Sequence, residues 1–300
     1  MYRSILVPLD GSPFGEHALP FALSIARHTG APLQLVHVHV PLKPLILDAI
    51  SLVEPGIEAH DRAYLEGLAQ RLAADHDIRV TTAVLDVPVA DALLDYALAA
   101  RVDLIVMSTH GHGALSRFWL GSVTDQLVRR APVPVLLVRP HEAAPDLAQE
   151  QEVRHVLVPL DESASAEQVL AHALALGTST QAAYTLLHAI ERLAGEYGTE
   201  LYAADLGESA FAQLRARAES YLERLAAPLR AEGLQIWTTV VLGPPASAIL
   251  EYAHKQAVDL IALTTHGQSG VAHMLVGGVA GKVLRGASVP VLLYRPDGGR

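Results

Sequence analysis

The 300-residue chain contains no cysteine, which excludes a disulfide framework, a thiolate metal site and cysteine nucleophilic catalysis. Lysine is nearly absent too, at Lys43, Lys255 and Lys282 only, so arginine supplies most of the 22 basic residues. Against them stand 32 acidic residues, for a formal charge of −10. Residues 1–140 carry 11 Lys/Arg against 14 Asp/Glu, and the remainder 11 against 18. Neither half has the basic surplus that binding a phosphate backbone calls for, so nucleic acid is not an expected partner. No apolar run is long enough to span a bilayer, and residues 1–10 read as a strand rather than a basic-then-apolar leader. No membrane partner is expected, and a cytoplasmic location is. What the chain does have is apolar content: 51% hydrophobic against 18% charged residues, too apolar for a disordered chain.

The sequence is a duplication. Ser4-Ile-Leu-Val-Pro-Leu-Asp10-Gly-Ser12 returns as His155-Val-Leu-Val-Pro-Leu-Asp161-Glu-Ser163, at an offset of 151. Asp103-Leu-Ile-Val-Met-Ser-Thr-His110-Gly111 returns as Asp259-Leu-Ile-Ala-Leu-Thr-Thr-His266-Gly267, at an offset of 156. Val133-Pro-Val-Leu-Leu-Val-Arg139-Pro140 matches Val289-Pro-Val-Leu-Leu-Tyr-Arg295-Pro296. Each copy is domain-sized, so domains are expected at 1–140 and 153–300, with residues 141–152 as the linker.

Within the first copy, strands are expected near 3–9, 33–40, 79–85, 103–109 and 133–138, and helices near 14–29, 57–76, 89–101 and 121–131. Runs such as Leu104-Ile-Val-Met107 are apolar on both faces, as in parallel sheets covered on two sides. Strand–helix alternation then implies right-handed crossovers. The expected fold is two tandem doubly wound α/β domains, each with a five-stranded parallel sheet of Rossmann or flavodoxin type. Segments 41–56 and 190–207 are ambiguous: a short helix packed on its own domain, or a contact with a partner or the other copy.

Open parallel sheets bind ligands beyond the carboxyl ends of their strands. Three segments of the first copy converge there: Pro8-Leu-Asp10-Gly-Ser12, the end of the second strand near Val38, and the turn from Ser108 to Ser122. In that turn Gly111 and Gly113 permit close backbone approach. Gly121-Ser122 opens the next helix with N–H groups, a hydroxyl and the positive end of a dipole, the parts of a phosphate cradle. The plainer reading is a tight turn and a capped helix. No Gly-Lys-Ser/Thr is present, and no GxGxxG opens the first turn, so neither a Walker loop nor that dinucleotide site is supported.

These motifs together (Val-Pro-Leu-Asp-Gly-Ser, Asp-Leu-Ile-Val-Met-Ser-Thr-His-Gly, Leu-Gly-Ser-Val, Arg-Ala-Pro-Val-Pro-Val-Leu-Leu-Val) resemble the universal stress protein family, in a tandem arrangement. The resemblance implies an adenine nucleotide alpha hydrolase-like fold and ATP as ligand, with Mg2+ as its candidate companion. The family's ATP-binding members carry Gly, two residues, Gly, nine residues and Gly-Ser/Thr. Gly111 and Gly121-Ser122 match, while Ser108 stands where the first Gly belongs. By this resemblance Asp10 and Val38 flank the adenosine, Pro8 lines the floor, and Gly111, His112, Gly121 and Ser122 hold the triphosphate. Ser12, His110, Gly113, Val123 and Thr124 complete the candidate set.

The second copy departs further. Its set is Pro159, Asp161, Ser163, Ala189, Thr264, Gly267, Gln268, Gly277, Gly278 and Val279, with Gly278 replacing the hydroxyl of Ser122 and Thr264 replacing the first Gly. A lost hydroxyl bond costs about 1 kcal/mol, near fivefold in affinity, so a weaker or degenerate site is expected there.

Fifteen histidines raise a metal site, yet no His-Glu-x-x-His pattern appears. His37-Val-His39 is expected to show its rings to opposite faces of a strand, leaving one for any site, and no metal is assigned. Asp10 and Asp161 are read as general bases or, more plainly, as carboxylates capping the following helix. Gly-x-Ser-x-Gly is absent and no acid–base pair stands out, so no catalytic residue is assigned and any ATP hydrolysis is slow. The family dimerises through its last strand. The resemblance thus implies an internal pseudo-dimer of the two copies, strand five beside strand five, with a homodimer and an unidentified protein partner also open. The reading is a stress-response protein using ATP as a regulatory ligand. The alternatives are a nucleotide-independent scaffold and a slow ATP hydrolase.

Overall fold

The computed structural model describes residues 1–40, 50–109, 121–141, 143–148, 151–178, 180–191, 193–194, 200–201, 208–265 and 278–296. The chain divides into two compact units, Met1–Glu152 and Val153–Arg300.

In the first unit β1 (Ile5–Leu9) leads through a 3-10 helix (Gly15–Ala18) into α1 (Leu19–Thr29) and β2 (Leu33–His39). Then come α2 (Ile50–His76), β3 (Val80–Asp86), α3 (Val89–Ala99), β4 (Leu104–Ser108), α4 (Ser122–Arg130) and β5 (Val135–Val138). All strands are parallel, in the order β3-β2-β1-β4-β5. This is the Rossmann rather than the flavodoxin order. Ile5, Leu6, Val7, Leu104, Ile105 and Val106 are fully buried, as strands covered on both faces require. Right-handed crossovers put α1 and α2 on one face and α3 and α4 on the other, where α3 and α4 pack together.

The helix expected over 14–29 is broken in two. Residues 15–18 wind as 3-10 because the Ser12 hydroxyl takes the Gly15 N–H, and α1 starts afresh with Pro20 in its first turn. It ends at Gly30, whose φ of 73° is the left-handed cap that glycine adopts without strain. The helix expected from 57 starts at Ile50, so part of the ambiguous 41–56 stretch is helical; residues 41–49 lie outside the described residues.

The second unit repeats the plan with β6 (His155–Pro159), α5 (Ala164–Glu167), α6 (Val169–Gly177), β7 (Ala183–Ile190), a two-residue pair β8 (Leu193–Ala194) and β9 (Glu200–Leu201), and α7 (Glu208–Ala231). It closes with β10 (Ile236–Leu242), α8 (Pro245–Lys255), β11 (Leu260–Thr264), α9 (Gly278–Gly286) and β12 (Val291–Tyr294). The parallel order is β10-β7-β6-β11-β12. Within the other ambiguous stretch, β8 and β9 pair antiparallel.

Candidate functional site

In each unit the strand order reverses between the first and fourth strands, so the crevice lies at the carboxyl ends of β1 and β4, and of β6 and β11. The first wall is a tight turn. Gly11 has φ 77°, and both the N–H and the hydroxyl of Ser12 donate to Asp10 Oδ1, at 3.0 and 2.6 Å. Ser12 Oγ in turn accepts from Gly15 N–H at 3.2 Å. Asp10 therefore braces its own turn rather than capping the helix, because Ser12 stands between it and the helical N–H groups. The second unit repeats this: Asp161 Oδ1 accepts from Ser163 N–H at 3.1 Å and from its hydroxyl at 2.5 Å, and Ser163 caps α5 through Ala166 N–H. Here the left-handed position is Glu162, with φ 65°, its carboxylate bound by Arg217 at 2.6 Å.

The second wall follows β4. Ser108 ends the strand and is buried, and Thr109 O accepts from Gly121 N–H at 3.2 Å. The N–H of Gly121 is thus used inside the protein rather than offered to a ligand. A β-carbon on Gly121 would lie 3.3 Å from that same Thr109 oxygen, a tight contact that a side chain keeps only if the carbonyl gives by a few tenths of an ångström. Ser122, Val123 and Thr124 form the first turn of α4, whose N–H groups have no intrahelical acceptors. Ser122 is exposed, and Thr124 is buried with its hydroxyl turned toward Thr109 O. In the second unit Thr264 ends β11 and is buried, and Gly278 and Val279 start α9 in exposed positions. His110, Gly111, His112 and Gly113, with Gly267, Gln268 and Gly277, lie outside the described residues.

The third wall is the end of β2. Pro8 pairs in register with Val36, and Leu9 with His37; Val38 is buried, as Ala189 partly is in the second unit. Contrary to expectation, His37 and His39 face the same side, since residues two apart in a strand share a face. His39 Nδ1 donates to Asp61 Oδ2 of α2 at 2.8 Å, and His37 Nε2 lies 3.5 Å from the same oxygen. His37 Nδ1 donates to Leu9 O at 2.9 Å, and His188 repeats that bond to Leu160 O at 2.9 Å. Among the described residues no group of three or more metal-ligating side chains is disposed to hold a metal ion.

Sequence reasoning missed Glu16, Asp61 and Tyr64. Tyr64 Oη donates to Glu16 Oε1 at 2.7 Å, beside the Asp10 turn. Burial chiefly, then the Glu16 bond, raises its pKa well above the usual phenol range. One signal was available: Glu16 and Tyr64 recur as Glu167 and Tyr221. Among the described residues, the crevice offers the braced carboxylate of Asp10 and the exposed hydroxyl of Ser122 at a helix start.

A family model for universal stress proteins matches residues 1–139 and again 152–295. A universal stress protein of Mycolicibacterium smegmatis is 27% identical over 298 residues, spanning 97% of each chain. One from Thermus aquaticus is 35% identical over 143 residues, which is 46% of this chain and 100% of its own. Among solved structures, a universal stress protein from Archaeoglobus fulgidus shares the fold at a TM-score of 0.71 and 20% identity, over 97% of this chain and 98% of that one. No helix among the described residues is long and apolar enough to cross a membrane. Matched by one family model in both halves, the chain belongs to the universal stress protein family, with two copies of the domain in tandem.

Proposed function

We propose that the first unit binds ATP in the crevice between the Asp10 turn and the start of α4, and that the bound nucleotide acts as a regulatory state rather than a substrate. The observation carrying this reading is the helix start. Gly121 is pressed against Thr109 O, which leaves the first-turn N–H groups of Ser122, Val123 and Thr124 and the exposed Ser122 hydroxyl at the switch point of the sheet. Asp10, braced by Ser12, would accept from a ribose hydroxyl, and Mg2+ would accompany the triphosphate. The turn through Gly111 and His112 completes the cradle by family resemblance. In the second unit Gly278 supplies amides without a hydroxyl, which favours a weaker site. The described residues of the crevice bring no acid–base pair together, which favours binding over hydrolysis.

The test is calorimetry with ATP on the full chain, with mass spectrometry of whatever the freshly purified protein releases on denaturation. One nucleotide per chain without phosphate release supports the reading; measurable turnover selects a slow hydrolase. A chain that is empty and ignores ATP selects a nucleotide-independent scaffold. Gly121→Val should abolish binding with the fold intact, and survival of affinity would mean the site lies elsewhere. Pairing of the copies through their last strands and association of two chains belong to the same proposal, tested by sizing and cross-linking in solution.

A further inference from the structure

Each unit's sheet ends on one side at an edge strand, β3 in the first unit and β10 in the second, and among the described residues each of these pairs with a single neighbour. Three bonds fix which backbone groups of β10 face outward. Gln235 O accepts from Tyr184 N–H and Gly243 N–H donates to Ile190 O, both toward β7. Ile236 O, on the other side, accepts from the Arg230 guanidinium at 2.8 Å. Backbone groups alternate sides along a strand, so Thr238, Val240 and Leu242 turn their N–H and C=O groups to the open edge. A groove of about 780 Å³ runs there between α7 and β10, with Arg215, Glu219, Glu223 and Arg224 along the helix and Thr238 and Val240 along the strand.

Proteins commonly guard such edges with charge, and the first unit does. Arg79 precedes β3, and because its carbonyl accepts from Leu33 N–H, the outward positions are Val80, Thr82, Val84 and the exposed Asp86. The second unit has no such guard. Ile236-Trp-Thr-Thr-Val-Val-Leu242 carries no charge, glycine or proline, and neutral residues, Gln235 and Gly243, flank it. Trp237 and Leu242 are 53% and 60% exposed. This is the composition of a strand that pairs with another strand.

We propose that the β10 edge docks a second copy of this chain, the two β10 strands joining antiparallel about a two-fold axis at Val240. In that register the two Val240 residues exchange both backbone bonds across the axis, and Thr238 pairs with Leu242 of the other copy. Every outward group from Thr238 to Leu242 then has a partner. The ladder stops by itself at the next step, where Ile236 O is already held by Arg230 and would face Pro244, which has no N–H. On the other face Thr239 meets Val241, and Trp237 lies over the bare backbone of Gly243. Charge selects a copy over a foreign segment. Arg215 is paired with Glu219 at 2.8 Å and Glu223 with Arg230, while Arg224 lies over the Tyr221 ring at 5.3 Å. A groove whose charges are already matched suits an uncharged, β-branched strand, and β10 is one. The pairing is isologous and so closes at two chains; β3 in the same arrangement would bury the Asp86 carboxylate. Nucleotide binding is not required for it.

Sedimentation velocity on the ligand-free full chain, from about 1 to about 200 μM, tests it and should show a monomer–dimer equilibrium. Val240→Pro deletes both central N–H donors yet spares the β7 ladder, because that N–H faces outward. It should weaken the dimer about tenfold or more. Leu242→Lys, at an exposed position, should weaken it comparably by setting a charge against Thr238 of the other copy. Adding Thr238→Asp to Leu242→Lys brings opposite charges face to face and should restore association, with circular dichroism checking the fold of each variant. A chain that stays monomeric throughout the range overturns the proposal. So does a dimer that neither Val240→Pro nor Leu242→Lys weakens, which would place the contact on another surface. Loss in both single variants without recovery in the double one overturns the Val240 register. ATP binding is decided separately by calorimetry, so neither reading falls with the other.

Discussion

The Tyr64 hydroxyl donates to the Glu16 carboxylate at 2.7 Å, tying α2 to the 3-10 helix, whereas the Tyr221 hydroxyl in the same place of the second copy makes no hydrogen bond of good geometry among the described residues. Burial chiefly, then the charge of Glu167 and a weak side-chain contact with it, raise the Tyr221 pKa. The same substitution should thus have different effects. Tyr64→Phe is expected to destabilise the first unit by about 1 kcal/mol. Tyr221→Phe, which removes a buried unsatisfied group, should leave the second unit unchanged or more stable. Hydrogen exchange resolved by unit reads both, and equal losses would contradict the assignment.

A second pair is a size exchange. A β-carbon on Gly177 would lie 2.7 Å from Ala182 Cβ and 2.9 Å from Tyr184 Cζ, and closer still to the Tyr184 hydroxyl. The first copy has Ala26 and Leu33 where the second has Gly177 and Tyr184. Gly177→Ala alone should destabilise by about 1–3 kcal/mol through overpacking. Adding Tyr184→Leu should recover much of that loss, although the bond from Tyr184 Oη to Leu174 O at 3.2 Å goes with it. Additive losses in thermal melts of the double variant would refute the coupling.

Much of this was legible in the sequence because the duplication showed each element twice. Runs such as Leu104–Met107 mark doubly covered strands by composition, and the Asp-Gly-Ser turn announces itself through glycine. What escaped depends on side chains meeting across elements. Nothing near Asp61 in the sequence says that a helix carboxylate will meet two strand histidines, since the helix and strand phases are fixed only by packing. The same-face placement of His37 and His39 follows from the period of a strand alone, so that expectation failed on geometry rather than on missing information. The 3-10 turn depended on which residue, Asp10 or Ser12, would reach the Gly15 amide.

The position after Asp161 supplies a backbone test. Glu162 sits at φ 65°, where a side chain costs about 1 kcal/mol relative to glycine. Its ion pair is with Arg217, whose side chain is 74% exposed, and such pairs contribute about 0–1 kcal/mol. Glu162→Gly should therefore be neutral to mildly stabilising in denaturant melts, and Gly11→Glu should destabilise by about 1 kcal/mol. A large loss on Glu162→Gly would show that the ion pair outweighs the backbone.

Trp237 makes the titration of His155 visible. Burial lowers the His155 pKa, against smaller raising effects from Gln256 and Asp259. The folded pKa lies below the unfolded value of about 6.5, so from that pH downward the unfolded state binds more protons and stability falls as acid is added. Above it both states are neutral and the contribution is flat. In a Trp119→Phe background, Trp237 fluorescence should be quenched with a midpoint below that of a free histidine. His155→Gln should remove the transition, and a midpoint above the ordinary value would contradict the burial argument.

The two helix starts differ by one hydroxyl, and the structure leaves room to add it. Ser122 opens α4, Gly278 opens α9 at the equivalent place, and a β-carbon on Gly278 would have nothing within 4 Å. Gly278→Ser should fold normally, since serine is also less costly than glycine within a helix. If the hydroxyl contributes to phosphate binding as proposed for the first unit, ATP affinity of the second site should rise about fivefold, the equivalent of about 1 kcal/mol. Ser122→Ala should weaken the first site by the same factor. Calorimetry with Gly121→Val as background isolates the second site. An unchanged affinity in both substitutions would assign the phosphate contacts to backbone amides alone.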